Sequence, residues 1–169
     1  MATELTESQQ RLQSSEAKFR AVIDQASDAI YTADETGNFL LANRRACETM
    51  GYSEEEFLKM NVADIDPFFS RRSDIEDVWE PMVEGTTSIL ETIHRAKSGR
   101  EFPVEVSLGR VNIGNDGVIL GIVRDISVRK EFEASLHKSK EEWESTFNAI
   151  SDIITIQNRD MRIMRANKV

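Results

Sequence analysis

The sequence predicts an α+β domain, in which a five-stranded antiparallel sheet has helices on one face and an amphipathic helix flanks the domain on each side. Three observations support this fold class. Two β-rich segments enclose a glycine turn near residue 37, short helical patterns follow, and three further strand patterns come after them. Strands, then helices, then strands again is the order of an α+β domain and not of alternating β-α units.

An amphipathic helix is expected at the start of the chain, over residues 1–26. Leu5, Leu12 and Phe19 are seven positions apart, and neither Gly nor Pro interrupts residues 2–33. The apolar row is narrow and flanked by polar residues, which is typical of a coiled coil and not of a helix covering a globular core. We therefore expect a homodimer. Its seam would combine this helix with the outer face of the sheet, through Leu5, Leu12, Phe19, Leu120 and Ile122.

The first two strands and the helices after them have clear boundary signals. Residues 29–33 and 38–42 flank a turn that ends in glycine, which predicts an antiparallel hairpin. Ser53 and Glu56 have the spacing of a capping box, so a helix is expected to begin there. Apolar residues over 68–82 predict another helix that covers an apolar space.

Three more strands are predicted over residues 88–95, 101–113 and 118–124. The middle one alternates between apolar and polar residues, which is typical of a strand with one buried face. Turn residues at Lys97–Arg100 and Gly114–Gly117 connect the three as hairpins.

The last strand is predicted to run directly into a second amphipathic helix. A β-branched run ends shortly before Asp125, and charged residues dominate after it. Leu136, Trp143 and Ile150 are again seven positions apart, which indicates a helical seam over residues 128–150. A change in the sheet is therefore expected to move this linker helix.

The chain also repeats itself. A shift of 124 positions places Phe19 on Trp143 and Ala42-Asn43 on Ala166-Asn167 without a gap. Such a register, which preserves both the seam and the hairpin, indicates a tandem repeat. We expect residues 151–169 to be the truncated start of a second copy within a longer protein.

Four stretches of the sequence, in this order, carry a resemblance to a known family: Asn38-Phe-Leu-Leu-Ala-Asn43, Gly51-Tyr-Ser-Glu-Glu-Glu-Phe57, Lys97-Ser-Gly-Arg-Glu-Phe-Pro-Val-Glu-Val106 and Gly121-Ile-Val-Arg-Asp-Ile-Ser-Val-Arg-Lys130. They resemble the PAS sensory-box domains of bacterial and archaeal signalling proteins. The last stretch is similar to the family's Asp-Ile-Thr exit motif, with Ser127 in place of Thr.

The resemblance implies a PAS domain over residues 27–127, which acts as a sensor or dimerisation module. It implies signal transfer to the following helix through Asp125, Ser127 and Arg129. It also implies an output domain outside this chain, commonly a histidine kinase of a two-component system, a diguanylate cyclase or a chemoreceptor.

A ligand, if one binds, is expected between the sheet and the helices. The residues expected to face that space are nearly all apolar, and no charged side chain is expected to point inward. Such a lining either holds a small apolar or aromatic molecule or fills itself as an ordinary core. The first alternative is a ligand-binding sensor and the second a ligand-free dimerisation and relay module. The candidate residues are Ile30, Phe39, Leu41, Met50, Phe57, Met60, Ile65, Phe69, Trp79, Val104, Val106, Ile119, Gly121 and Val123.

Neither a flavin with a photoreactive cysteine nor a haem is expected. Cys47 lies outside the family's Gly-x-Asn-Cys-Arg-Phe-Leu-Gln motif and is expected to be a small core residue. Residues 72–84 contain no histidine for a haem, and His94 is expected at the surface or in a satisfied interaction. Neither His94 nor His137 has metal-ligand spacing with another ligand. Without a phosphate loop or a Ser/His/Asp set, a catalytic fragment is the least favoured alternative.

Composition and net charge limit the classes of partner and the cellular location that we expect for this chain. The net charge of −9 argues against nucleic acid, because phosphate contacts need a basic face. No apolar run approaches the roughly 18 residues of a membrane span, and the first residues lack the features of a signal peptide. We expect a cytoplasmic domain without direct membrane insertion, in a parent protein that could be anchored elsewhere.

Overall fold

The computed structural model describes residues 2–69, 72–79, 81–113 and 116–168 of the chain. The chain divides into two compact units, Met1–Ile126 and Ser127–Val169. The first unit contains α1 (Ala2–Asp24), β1 (Ala29–Ala33), β2 (Phe39–Ala42), α2 (Arg44–Met50), α3 (Glu54–Phe57), α4 (Val62–Ile65), a 3₁₀ turn (Pro67–Phe69), α5 (Arg72–Trp79), β3 (Thr87–Arg95), β4 (Glu101–Ile113) and β5 (Asp116–Asp125). The second unit contains α6 (Ser127–Ala149), β6 (Thr155–Gln157) and β7 (Ile163–Ala166).

The sheet of the first unit is five-stranded and antiparallel throughout, which confirms the predicted fold class. Its strands lie in the order β2-β1-β5-β4-β3. The strand that comes last in sequence, β5, is therefore central and is hydrogen-bonded to β1 on one side and to β4 on the other. Of the turn predicted between β4 and β5, Gly114 and Asn115 lie outside the described residues.

Pairing between β1 and β5 decides which side chains face the helices. Tyr31 pairs with Gly121, and Ile30 pairs with Ile122, so the two pairs lie on opposite faces of the sheet. Tyr31 is buried whereas Ile122 is 38% exposed, which identifies the Tyr31 face as the covered, inner one. A Cβ atom on Gly121 would lie 3.0 Å from the Tyr31 ring, so this ring packs directly on the glycine.

Two residues predicted to face inward, Ile30 and Leu41, lie on the outer face instead. Ile30 pairs with Ile122, and Thr32, two residues further along β1, pairs with Leu41. The prediction was wrong because Ile30 and its neighbour Tyr31 are both suited to a core. Only the long-range register with β5 decides between them.

The short helices between β2 and β3 are stabilised at their ends. Ser53 Oγ accepts a hydrogen bond from Glu56 N at 3.2 Å, and the Glu56 carboxylate accepts one from Ser53 N at 3.0 Å, which confirms the predicted capping box. Lys97 Nζ donates to both Glu56 oxygens, at 2.6 and 2.8 Å. The Lys97 ammonium and then the Ser53 N–H lower the pKa of Glu56. The start of α3 is thereby attached to the β3–β4 turn.

The second unit contains a hairpin that matches the first one at a shift of 124 positions. β6 and β7 pair Thr155 with Ala166, as β1 and β2 pair Tyr31 with Ala42. Both hairpins shift register after the next residue of their first strand. The repeat seen in the sequence is thus matched by strand pairing.

The apolar row of α6 remains on the surface. Leu136 is 63% exposed and Trp143 is 43% exposed. Trp143 stacks on Phe147 with ring centroids 5.0 Å apart, and the Arg165 guanidinium lies 4.6 Å from the Trp143 ring centroid. The Trp143 indole therefore packs on residues of its own unit, whereas Leu136 of the same apolar row remains exposed.

Candidate functional site

Around Asp66 and Trp79, the space between the sheet and the helices is almost completely filled. Its side chains form one continuous core, and the cavity that they line there has a volume of about 20 Å³. That volume holds about one water molecule, so an organic ligand at this place would have to displace core side chains. The predicted lining residues that lie in or against this core are Phe39, Met50, Phe57, Met60, Ile65, Phe69, Trp79, Val104, Val106, Ile119 and Val123, with Gly121 beneath the Tyr31 ring.

Two polar side chains lie inside this core, so the expectation that no charged group points inward was wrong. Asp66 and His94 are each 2% exposed, and His94 Nε2 lies 3.6 Å from Asp66 Oδ2, too far for a hydrogen bond. Asp66 Oδ1 accepts hydrogen bonds from the Thr92 hydroxyl and from Phe68 N, both at 2.9 Å. Of the two alternatives expected for His94, a surface position and a satisfied interaction, the first was wrong, because its register with Phe102 places it on the inner face.

Two residues around the core cavity, Asp66 and Trp79, each carry a buried polar atom. Neither Asp66 Oδ2 nor Trp79 Nε1 has a hydrogen-bond partner among the described residues. Tyr31 lies beside them, with its ring centroid 6.3 Å from that of His94. Burial raises the pKa of Tyr31 well above its ordinary value near 10, and the Asp66 carboxyl raises it further. The phenol therefore keeps its proton at neutral pH.

Asn43 joins the first hairpin to the helices on both sides of it. The side chain is 1% exposed, and its Oδ1 accepts hydrogen bonds from Ile30 N and Ala46 N, both at 2.9 Å, the second of which caps α2. Its Nδ2 donates to the carbonyl oxygens of Ile23, at 2.8 Å, and Asp28, at 3.2 Å. Sequence reasoning used Asn43 as a repeat marker and as part of a stretch that resembles the family, but not as a cap, although an Asn directly before a helix is a capping signal.

A similar arrangement recurs around Asn167 in the second unit, where Ile154 and Asp152 correspond to Ile30 and Asp28 at the shift of 124 positions. Its Oδ1 accepts a hydrogen bond from Ile154 N at 2.8 Å. Its Nδ2 donates to the carbonyl oxygens of Ile150 and Asp152, both at 2.9 Å. In both hairpins, an asparagine after the second strand thus hydrogen-bonds to backbone groups at and before the start of the first strand. We call this arrangement the asparagine bracket, and the two hairpins share it as well as their strand register.

Side-chain and backbone hydrogen bonds hold the end of the central strand, β5, in place. Arg124 donates two hydrogen bonds to the Asp28 carboxylate, at 2.7 and 3.2 Å, which raises the pKa of the guanidinium. The Ile126 side chain is buried, and Ile126 N donates to the Pro103 carbonyl at 3.0 Å. The last residues of β5 are thus attached to both β4 and the α1–β1 connection.

The three predicted relay residues lie where strand changes to helix. Asp125 is the last residue of β5, and Ser127 is the first residue of α6. Arg129 lies in the first turn of α6, with its Nε 4.0 Å from Glu133 Oε1. Their role in signal transfer stays a prediction.

The predicted dimer seam is an open apolar surface. Leu12 and Phe19 are 70% and 58% exposed, whereas the side chain of Leu5 lies outside the described part. On the outer face of the sheet, Ile122 is exposed and Leu120 is partly buried. The same face exposes Ile89 and Ile93.

Cys47 is a partly buried residue packed against the core. Desolvation raises the pKa of its thiol, so the nucleophilic thiolate is disfavoured. In the described ranges, no group of three or more His, Cys, Asp or Glu side chains is arranged to hold a metal ion. None of the helices described there has an apolar stretch long enough to cross a bilayer.

Comparison with known proteins gives consistent matches. A family model for the PAS domain matches residues 27–128. The chain is 30% identical over 136 residues to the methyl sulfide methyltransferase-associated sensor of Methanosarcina acetivorans. It is 27% identical over 153 residues to sporulation kinase E of Bacillus subtilis. These matches cover 80% and 90% of this chain but only 14% and 20% of the two relatives.

A solved structure shows the same fold. The PAS domain of an HTR-like protein from Haloarcula marismortui superposes with a TM-score of 0.66 at 26% sequence identity. The superposition covers 72% of this chain and 99% of that domain.

Proposed function

Because this chain belongs to the PAS domain family, a family of sensory and not catalytic domains, we propose that it relays a conformational change from its sheet through α6 to an output domain. One observation carries the proposal: the central strand β5 ends at Asp125, and α6 begins at Ser127. A strand that is paired on both sides responds to changes in either neighbour. A change in the sheet can therefore be transmitted from the end of this strand to the helix that follows it.

The names of the relatives support a place in signal transduction. One relative is named a sensor and the other a kinase, and the chain spans a small part of each. We infer that the output activity of the parent protein lies outside residues 1–169 and is of the histidine kinase type. The cytoplasmic location and the absence of a nucleic-acid partner stay predictions from charge and composition.

Two modes of sensing remain under this proposal. The cavity beside Asp66 and Trp79, of only about 20 Å³, favours a relay module whose core is self-filled there over one with an organic molecule at that place. A ligand would then act from another surface of the domain. Residues 151–169 are proposed to begin a second PAS unit, which the shared asparagine bracket supports.

Insertions in α6 test the relay. In a chimera, residues 1–150 precede the dimerisation and catalytic domains of a histidine kinase, and alanines are inserted after residue 139. Two residues rotate the downstream seam by about 200°, whereas seven residues restore its phase. We expect the two-residue insertion to change autophosphorylation and the seven-residue insertion to leave it near the parent level. Equal activity of all three chimeras would contradict transmission through the helix.

The dimer is proposed on the exposed row of α1. Leu12→Asp is expected to convert a dimer into a monomer at micromolar concentration, because a carboxylate in an apolar seam is costly to bury. Sedimentation velocity measures this change. Val83→Asp, at a 65% exposed position outside the seam, is the matched control and should remain dimeric. An unchanged Leu12→Asp dimer would place the seam elsewhere, and Ile122→Asp would then test the outer sheet face alone.

A further inference from the structure

A second, larger cavity opens at the edge of the sheet where β1 starts and β5 ends. Its volume is about 350 Å³, which falls in the range of small-molecule sites. Its floor consists of buried residues of α2 and the inner sheet face, among them Met50, Phe102 and Val123. Tyr31 and His94 line both this cavity and the core cavity, so they form the partition between the two. We call the larger cavity the rim pocket.

The rim of this pocket is charged but balanced. Arg124 is bound by Asp28 through two hydrogen bonds. Arg45 Nη1 lies 4.0 Å from Glu48 Oε2. Three basic and three acidic residues line the pocket: Arg45, Arg100, Arg124, Asp28, Glu48 and Asp125. A ligand with several negative charges would therefore meet as many carboxylates as guanidinium groups.

Arg100 differs from the other two arginines. Its guanidinium carbon lies 4.3 Å from the centroid of the Phe102 ring. Within the described residues, this guanidinium has neither an ion pair nor a hydrogen bond to a side chain or carbonyl. Stacking on an aromatic face orients the plane of an arginine, and its paired N–H groups match a carboxylate in geometry. The pocket thus has one pre-oriented anion-binding group beside an apolar floor.

We propose that the rim pocket binds a small monocarboxylic acid with an aromatic or branched aliphatic body. The carboxylate binds the Arg100 guanidinium, and the body packs on Tyr31, Met50 and Phe102. A ligand with one negative charge neutralises the Arg100 guanidinium. The second negative charge of a phosphate monoester would be repelled by the carboxylates of the rim, which weakens its binding.

The position of this pocket suits a sensor. Its wall includes Arg124 and Asp125, the last two residues of β5. A bound acid adds a negative charge to the pocket that also contains the Asp28–Arg124 pair, and so acts on a contact that holds the end of the central strand. This consequence, unlike binding itself, rests on the relay function proposed above.

Calorimetry with phenylacetate on the full chain tests the site. Wild type should bind phenylacetate, and Arg100→Gln should weaken binding about tenfold or more, since a hydrogen bond to a charged group is lost. The matched control is Arg95→Gln, which removes an exposed arginine at the end of β3 that pairs with Glu101. This variant should bind phenylacetate as wild type does. Phenylacetamide should bind wild type and Arg100→Gln equally weakly, and phenyl phosphate should bind worse than phenylacetate. Circular dichroism verifies that each variant is folded.

The outcomes separate the site from the relay. Absence of phenylacetate binding at millimolar concentration, or equal binding by Arg100→Gln, overturns the site and leaves the insertion experiment unaffected. Binding that depends on Arg100 but leaves autophosphorylation of the chimera unchanged supports the site and counts against its link to the relay. Binding that depends on Arg100 and alters autophosphorylation supports both.

Discussion

Replacing Asn43 by Ala is expected to lower the free energy of unfolding of the first unit by about 3 kcal/mol. The substitution removes the cap of α2 and the side-chain partner of three partly buried backbone groups, Ile30 N and the carbonyl oxygens of Ile23 and Asp28. Of these, the Ile23 oxygen still accepts a hydrogen bond from Ala26 N at 3.2 Å. Asn43→Asp keeps the acceptor oxygen and the cap but loses both donors. In place of the donors it sets a buried carboxylate oxygen against two carbonyl oxygens, so its loss of stability should be at least as large as that of the alanine variant.

Urea unfolding in a Trp143→Phe background measures this effect, because Trp79 is then the only tryptophan and reports on the first unit alone. The matched control is Asn167→Ala, which removes the corresponding hydrogen bonds from the second unit. It should change the Trp79 transition by no more than about 0.5 kcal/mol, as expected for an independent site. A loss below about 1 kcal/mol for Asn43→Ala would show that the bracket is not important for stability.

The second large effect is expected at the end of β5. Asp125→Ala should cost about 1 kcal/mol of stability, as is typical of a single substitution, while it uncouples the sheet from α6. Transmission needs two states with different interactions at the sheet, so a change within the sheet should alter the output only while the connection is intact.

Gly121→Ala provides that change without a known ligand. Its new Cβ would lie 3.0 Å from the Tyr31 ring and would push this ring away from the centre of the sheet. In the kinase chimera, Gly121→Ala should alter autophosphorylation, and it should have no further effect once Asp125→Ala is present. Circular dichroism and sedimentation would verify that every variant is folded and dimeric.

The control for this experiment is Glu133→Ala, at an exposed position on α6 whose contact with Arg129 is only a long one, 4.0 Å. Gly121→Ala should act as strongly in that background as in wild type. An effect of Gly121→Ala that persists in the Asp125→Ala background would reject the role of Asp125 and favour transmission through α1. No effect in any background would mean that the sheet does not bias the helix.

The strands, the capping box and the two apolar rows of this chain were predictable because each depends on residues close together in sequence. Ser53 and Glu56, for example, stabilise a helix start three residues apart, whatever lies around them. The hairpin of β1 and β2 depends in the same way on a turn within the hairpin. Such signals survive in any tertiary arrangement.

The core polar pair could not be predicted by the same reasoning. Asp66 stands before a proline, which suggested a helix end, and His94 stands beside the exposed Arg95. Their approach to 3.6 Å depends on how the short helices lie over β3. No local pattern distinguishes a buried Asp–His pair from two surface residues.

By itself the sequence determined the fold class, the PAS family resemblance, the internal repeat and the passage from strand to helix at Asp125. Tertiary structure alone decided that Tyr31 and not Ile30 faces the core, that the core is filled, and that a pocket forms beside Arg100. The physical reason is the range of the interactions. Periodicity and caps act over a few residues, whereas inward orientation depends on strand register, and a pocket depends on elements that the chain brings together from distant positions.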